Sequence, residues 1–124
     1  MAKNAPSPAT AASIPAYDRL IATQPSVARK GAKLPYTSLN GNMSSYLAED
    51  GTLVLRLGTD DRAAFLARYA TGLHEAYGTV QKEYVDVPPA LLEATDELAP
   101  WFAASVAWVG GLRPKPTTRR TAGS

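Results

Sequence analysis

Residues Leu34 to Leu57 read LPYTSLNGNMSSYLAEDGTLVLRL, and this run decides the fold. Asn40-Gly41 supplies the two successive positive φ angles of a tight hairpin turn, and Asp50-Gly51 gives the same signal a strand later. Between and around these turns the residues alternate as strands do. Leu34 to Leu39 is the first strand. Met43 to Ala48 is the second, with Met43, Ser45 and Leu47 on one face and Ser44, Tyr46 and Ala48 on the other. Thr52 to Leu57 is the third, with Leu53, Leu55 and Leu57 toward the core and Arg56 outward. Two hairpins in sequence make an antiparallel meander.

Toward the C-terminus, Gly58-Thr59 ends the third strand and Thr59 or Asp60 serves as a helix N-cap, with Asp60 and Asp61 at the positive end of the dipole. Ala63, Phe65, Leu66 and Tyr69 form one apolar stripe, and Gly72 suits the position just past the helix. Leu73 to Gly78 reads as a short strand and turn. Val80 to Val87 reads as an alternating strand, with Val80, Tyr84 or Val85, and Val87 in β-favouring company. Pro88-Pro89 stops it and opens a turn of helix through Leu91 and Leu92. A longer helix follows Thr95 or Asp96, with Leu98, Trp101, Phe102, Ser105, Val109 and Leu112 on one face. Pro100 sits near its first turn, where few amides need an intrahelical acceptor.

Toward the N-terminus, Pro15 is read as opening a short helix carrying Tyr17, Leu20 and Ile21 before Pro25. The Ala-, Pro- and Ser-rich residues 1–14 are expected to be a disordered leader, 15–112 the folded domain and 113–124 a basic, proline-containing tail. Helix, three strands, helix, two strands, helix predicts a two-layer α+β domain, an antiparallel sheet covered by helices on one face. The crossover helices of a parallel nucleotide-binding sheet are missing.

Composition narrows the chemistry. The chain has 124 residues, 45% hydrophobic and 19% charged, enough for one packed core. With no Cys and one His, disulfides, thiolate nucleophiles and Cys or paired-His metal sites are excluded, and no cofactor is expected. No apolar run reaches the length of a signal-peptide core or a membrane span, so a cytoplasmic protein is expected. The net charge of +2 conceals a segregation: residues 1–35 hold five basic side chains against one acid, 36–112 four against ten, and 113–124 four against none. The domain is acidic and its flanks are basic.

LPYTSLNGNMSSYL, LVLRL followed by DDRAAFLARY, YGTVQKEYVDVPPALL and GLRPKPTTRR together resemble the TfoX/Sxy N-terminal-domain family of small bacterial proteins, over Leu34 to about Arg120. The most specific pieces are Asn40-Gly41-Asn42-Met43, Lys82-Glu83-Tyr84-Val85 and the Lys-Pro-Lys-Pro-like tail. The resemblance implies a two-layer α/β fold in the order read above. The name-giving members regulate competence genes and carry a separate C-terminal domain, so this chain is expected to be a single-domain relative. The family offers no agreed catalytic residues to carry over.

Weighed singly, the remaining candidates favour binding over chemistry. His74-Glu75 is the one His–carboxylate neighbour, and neither a nucleophile nor an orienting partner for it is visible. Lys82-Glu83-Tyr84 sets Lys82 and Tyr84 on one strand face and Glu83 on the other; a groove of Tyr36, Thr37, Glu83 and Tyr84 would be the place for an enzyme site. Trp108 lies at the edge of its helix stripe and is the candidate partner contact. Arg113, Lys115, Arg119 and Arg120 are candidate phosphate contacts. The expectation is a non-enzymatic binding or regulatory domain with a protein partner or a homodimer, ahead of weak nucleic-acid binding through the flanks and of an enzyme.

Overall fold

A computed structural model describes residues 5–76 and 78–113. The elements are α1 (Pro8–Ile21), β1 (Tyr36–Leu39), β2 (Asn42–Leu47), β3 (Leu53–Arg56), α2 (Thr59–Arg68), β4 (Leu73–Ala76), β5 (Thr79–Val87), α3 (Pro89–Glu93) and α4 (Thr95–Gly110). The five strands form one antiparallel sheet in the order β1-β2-β3-β5-β4, and the helices pack on one of its faces. Leu47, Leu53, Leu55, Val85 and Val87 meet Tyr17, Leu20, Phe65, Leu98 and Phe102 in the core between the layers. The α+β order read from the sequence is the one observed. Asn40 and Gly41 both have positive φ, 53° and 81°, as a two-residue hairpin turn requires.

Four local features depart from the sequence reading. First, α1 begins at Pro8 rather than Pro15, so the second half of the expected leader is helical. Ser7 caps it, accepting from the Thr10 amide at 3.1 Å, and Pro8 occupies the first turn, where its missing N–H costs nothing. The helix is tied down along its length. Ser7 Oγ, Thr10 Oγ1 and Ser13 Oγ donate to the carbonyls of Glu49, Ala48 and Gly51 at 2.6, 2.6 and 2.7 Å. A Cβ on Gly51, at φ 86°, would stand 2.6 Å from Ala9 O, so helix and turn touch only because that residue is glycine.

Second, a bulge interrupts β1 and β2. Thr37 pairs with Ser45 but Ser38 with Met43, leaving Ser44 extra. Met43 therefore leaves the face it was expected to share with Ser45 and Leu47 and is 37% exposed, while Ser44 and Ser45 are both buried. Their hydroxyls join a chain in which Tyr17 Oη meets Ser45 Oγ, and Thr37 Oγ1 meets both serines, each at 2.6 Å. Ser105 Oγ donates to Ser44 O at 3.2 Å. Each of these buried hydroxyls thus has a partner, another hydroxyl or, for Ser105, a carbonyl.

Third, β5 starts at Thr79 rather than Val80, and because β3 ends at Arg56 opposite Tyr84, Thr79 to Gln81 pair with β4 alone, which leaves Val80 43% exposed. Fourth, the N-cap of α2 is Gly58, not Thr59 or Asp60.

Candidate binding face

Strand alternation that sends Leu47, Leu53, Leu55 and Val85 into the core sends Tyr46, Val54, Tyr84 and Asp86 to the helix-free side. Across the sheet Tyr36 pairs with Tyr46, Tyr46 with Val54 and Val54 with Asp86. β2 and β4 lie three strand spacings apart, about 14 Å, yet the Tyr46 and His74 rings are 5.8 Å apart, edge to face. Tyr84 closes on Tyr46 at 6.0 Å. The side chains lean inward over the middle strands, which explains why Val54 is fully buried although it lies outside the main core. The face is a small aromatic cluster of half-buried tyrosines. Burial raises the Tyr84 phenol pKa, partly offset by Arg56.

His74 gains a partner that sequence reasoning missed. Its Nδ1–H donates to Asp86 Oδ1 at 2.7 Å, fixing the ring. The two residues are 12 apart in sequence, and an irregular register between Leu73 and His74 brings them together, so no local pattern could announce the pair. Asp86 orients the imidazole, and among the described residues no hydroxyl is hydrogen-bonded to it.

At one end of the cluster Arg56 gathers several of the predicted residues. Its Nε donates to Glu83 Oε1 at 2.8 Å and its Nη1 to Met43 O at 3.2 Å. The guanidinium stands 5.6 Å from the Tyr84 and the Trp108 ring centroids alike, with the side chain only 18% exposed. Trp108 lies against Gly58: a Cβ there would fall 2.6 Å from the indole Cδ1. Its indole N–H has no acceptor among the described residues. Glu83, Tyr84 and Trp108 therefore meet at Arg56, and Tyr36 joins them through Tyr46. Thr37 does not, because it is buried in the hydroxyl chain on the helix side; the groove expected from these residues is not formed as a unit.

The basic flanks behave unequally. Arg19 pairs with Glu93 at 3.0 Å and Arg29 with Asp18 at 2.7 Å, so much of the N-terminal charge is answered on the domain. Arg113 is exposed, with its carbonyl held by Asn42 Nδ2 at 3.1 Å. Lys115, Arg119 and Arg120 lie outside the described residues.

A second cluster borders a shallow groove between α2, α3 and α4. Tyr69 Oη accepts from Arg68 Nε and Trp101 Nε1 at 3.1 and 3.2 Å and donates to Glu97 at 2.8 Å. That hydroxyl is fully engaged, which makes the cluster a rim and not an open site.

Among the described residues no group of three or more His, Asp or Glu is placed to hold a metal ion, and no helix is long and apolar enough to cross a membrane. The family model described as the TfoX N-terminal domain matches residues 22–108. No curated protein and no solved structure gives a significant match.

Proposed function

The chain belongs to the TfoX N-terminal domain family, and on that footing we propose that it is a non-enzymatic module that binds a protein partner across the helix-free face of its sheet and the adjoining end of α4, where Trp108 lies. The observation carrying this reading is the meeting of Trp108, Arg56 and Tyr84 beside the half-buried tyrosines. Trp, Tyr and Arg are the residue types that dominate binding energy at interfaces, where they sit in water-excluded packing. Their rotamers are set before a partner arrives, which lowers the entropy cost of association. The reading sets the protein in the bacterial cytoplasm, where a cysteine-free domain loses nothing by lacking disulfides.

The test is affinity capture from native extract with the wild-type chain, Tyr84→Ala and Trp108→Ala in parallel, each checked for folding by circular dichroism. A partner retained by wild type and lost by the folded variants supports the reading; a partner retained equally by all three overturns it. Light scattering over a concentration series decides whether that partner is a second copy, and a strict monomer at high micromolar concentration removes the homodimer. A second reading, nucleic-acid association through residues 113–124, is favoured by their four basic side chains. Absence of any DNA or RNA mobility shift at low salt would end it.

A further inference from the structure

The exposed tip of the β1–β2 hairpin does more than reverse the chain. Asn40 Nδ2 donates to Gly110 O at 3.3 Å and Asn42 Nδ2 to Arg113 O at 3.1 Å. The two side-chain amides hold the C-terminal end of α4 and the residue that opens the tail.

Asn40 also has the neighbour that leaves its side chain most open to its own backbone. Gly41 has no Cβ to shield the approach of its amide nitrogen to the Asn40 side-chain carbonyl. Asn40 sits at φ 53°, the left-handed region that residues with a Cβ seldom adopt. An exposed turn holding such a residue opens locally far more easily than the strands behind it.

We propose that Asn40 is a self-modification site, at which the hairpin tip converts to aspartate or isoaspartate and releases the C-terminal end of α4. The Gly41 nitrogen, losing its proton, attacks Asn40 Cγ; a C–N bond forms, the side-chain nitrogen leaves as ammonia, and a five-membered imide closes. Water then adds to one of the two imide carbonyls and breaks its bond to nitrogen. Opening at the side-chain carbonyl gives aspartate, and opening at the main-chain carbonyl gives isoaspartate. One water is consumed, one ammonia is released and nothing is oxidised or reduced. Asn42 is followed by Met43 and is only 8% exposed, so it lacks both conditions.

The product undoes the clamp in two ways. A carboxylate has no proton to donate to Gly110 O, and it sets a negative charge at the end of a helix whose dipole is already negative there. In the isoaspartate form the main chain gains a methylene inside a turn that tolerates only two residues of fixed conformation.

The test ages the full chain in warm, mildly alkaline buffer and sequences the tryptic peptide Leu34–Arg56 by mass spectrometry, with enzymatic methyl labelling of isoaspartate. Conversion at Asn40 and not at Asn42 is the expected result. No conversion in the folded chain, over a period in which the free peptide converts completely, overturns the proposal. Release is read separately by hydrogen exchange of the Gly111 and Leu112 amides, which donate to Trp108 and Val109 carbonyls. Asn40→Asp should speed that exchange roughly two- to twelve-fold, a single net hydrogen bond's effect, whereas exchange equal to wild type would overturn the release step. Asn40→Gly keeps the positive φ and cannot convert, so it should show no isoaspartate at position 40 on ageing.

Discussion

Gly58 lies flat beneath the Trp108 indole, and the indole is in turn held against Arg56. Its own φ of −67° suits any residue, so the requirement for glycine is purely one of space. Gly58→Ala should therefore destabilise by about 1–3 kcal/mol through overpacking, read as a lower urea midpoint with unchanged slope. Gly78→Ala offers the contrasting case, because nothing lies within 4 Å of its added Cβ but its φ is 75°. A second residue-scale effect comes from Tyr17. Burial pushes its pKa from 10.0 to about 12. The folded state keeps the phenol protonated where the unfolded chain has begun to lose the proton. Stability is thus fully present below pH 10.0 and falls as pH rises through the interval to about 12. The total loss is on the order of 3 kcal/mol. Tyr17→Phe should flatten that alkaline limb in denaturation curves taken across the interval. It should also cost about 1 kcal/mol at neutral pH, by removing one of the two hydroxyl partners of Ser45.

Among the elements, α1 carries the clearest internal conflict. Pro15 lies well inside it, removes the amide that would bond Ala11 O and crowds that carbonyl. Both residues are exposed, so water takes up the freed carbonyl, and the hydroxyl ties from Ser7, Thr10 and Ser13 hold the helix in place despite the loss. Pro15→Ala should raise stability by about 1–3 kcal/mol after the larger entropy of the unfolded alanine chain is allowed for, visible as a higher melting temperature. A lower one would mean that the proline sets the path of the helix. The same helix shows where sequence reading stops. Hairpins at Asn40-Gly41 and Asp50-Gly51 are legible because turn chemistry is local. The apolar stripe of α4 is legible because its period is. The start of α1 was hidden because Pro15 is a stronger local signal than a Ser-Pro cap whose value lies in bonds to a turn far along the chain. The bulge at Ser44, the exposure of Val80 and the His74–Asp86 pair depend on what each strand meets across the sheet, which no window of neighbours contains. At the candidate face, Tyr84 and Trp108 could be singled out as individual residues. Arg56, which joins them, read only as an outward strand position.

At the scale of the whole molecule, the segregation of charge separates the two binding readings. Residues 36–112 carry ten acids against four basic residues, and the N-terminal Arg19 and Arg29 are already paired with Glu93 and Asp18. A polyanion approaching the domain meets a surface of its own sign, so attraction must come mainly from the four basic residues of 113–124. Each neutralised phosphate contributes about −0.9 to the log–log salt slope on duplex DNA, which caps the slope near −4. If the full chain binds DNA, removing 113–124 should bring the slope close to zero and the affinity with it. A slope clearly steeper than the cap, or one that survives the truncation, would show that the domain itself grips phosphate in spite of its charge. A protein partner seated on the tyrosines behaves differently. Its affinity rests on packing around Trp108 and Tyr84 and should change little with salt or with loss of the tail. Titrating salt against the truncated and full chains therefore distinguishes the tail from the sheet face as the seat of binding, whichever partner is captured.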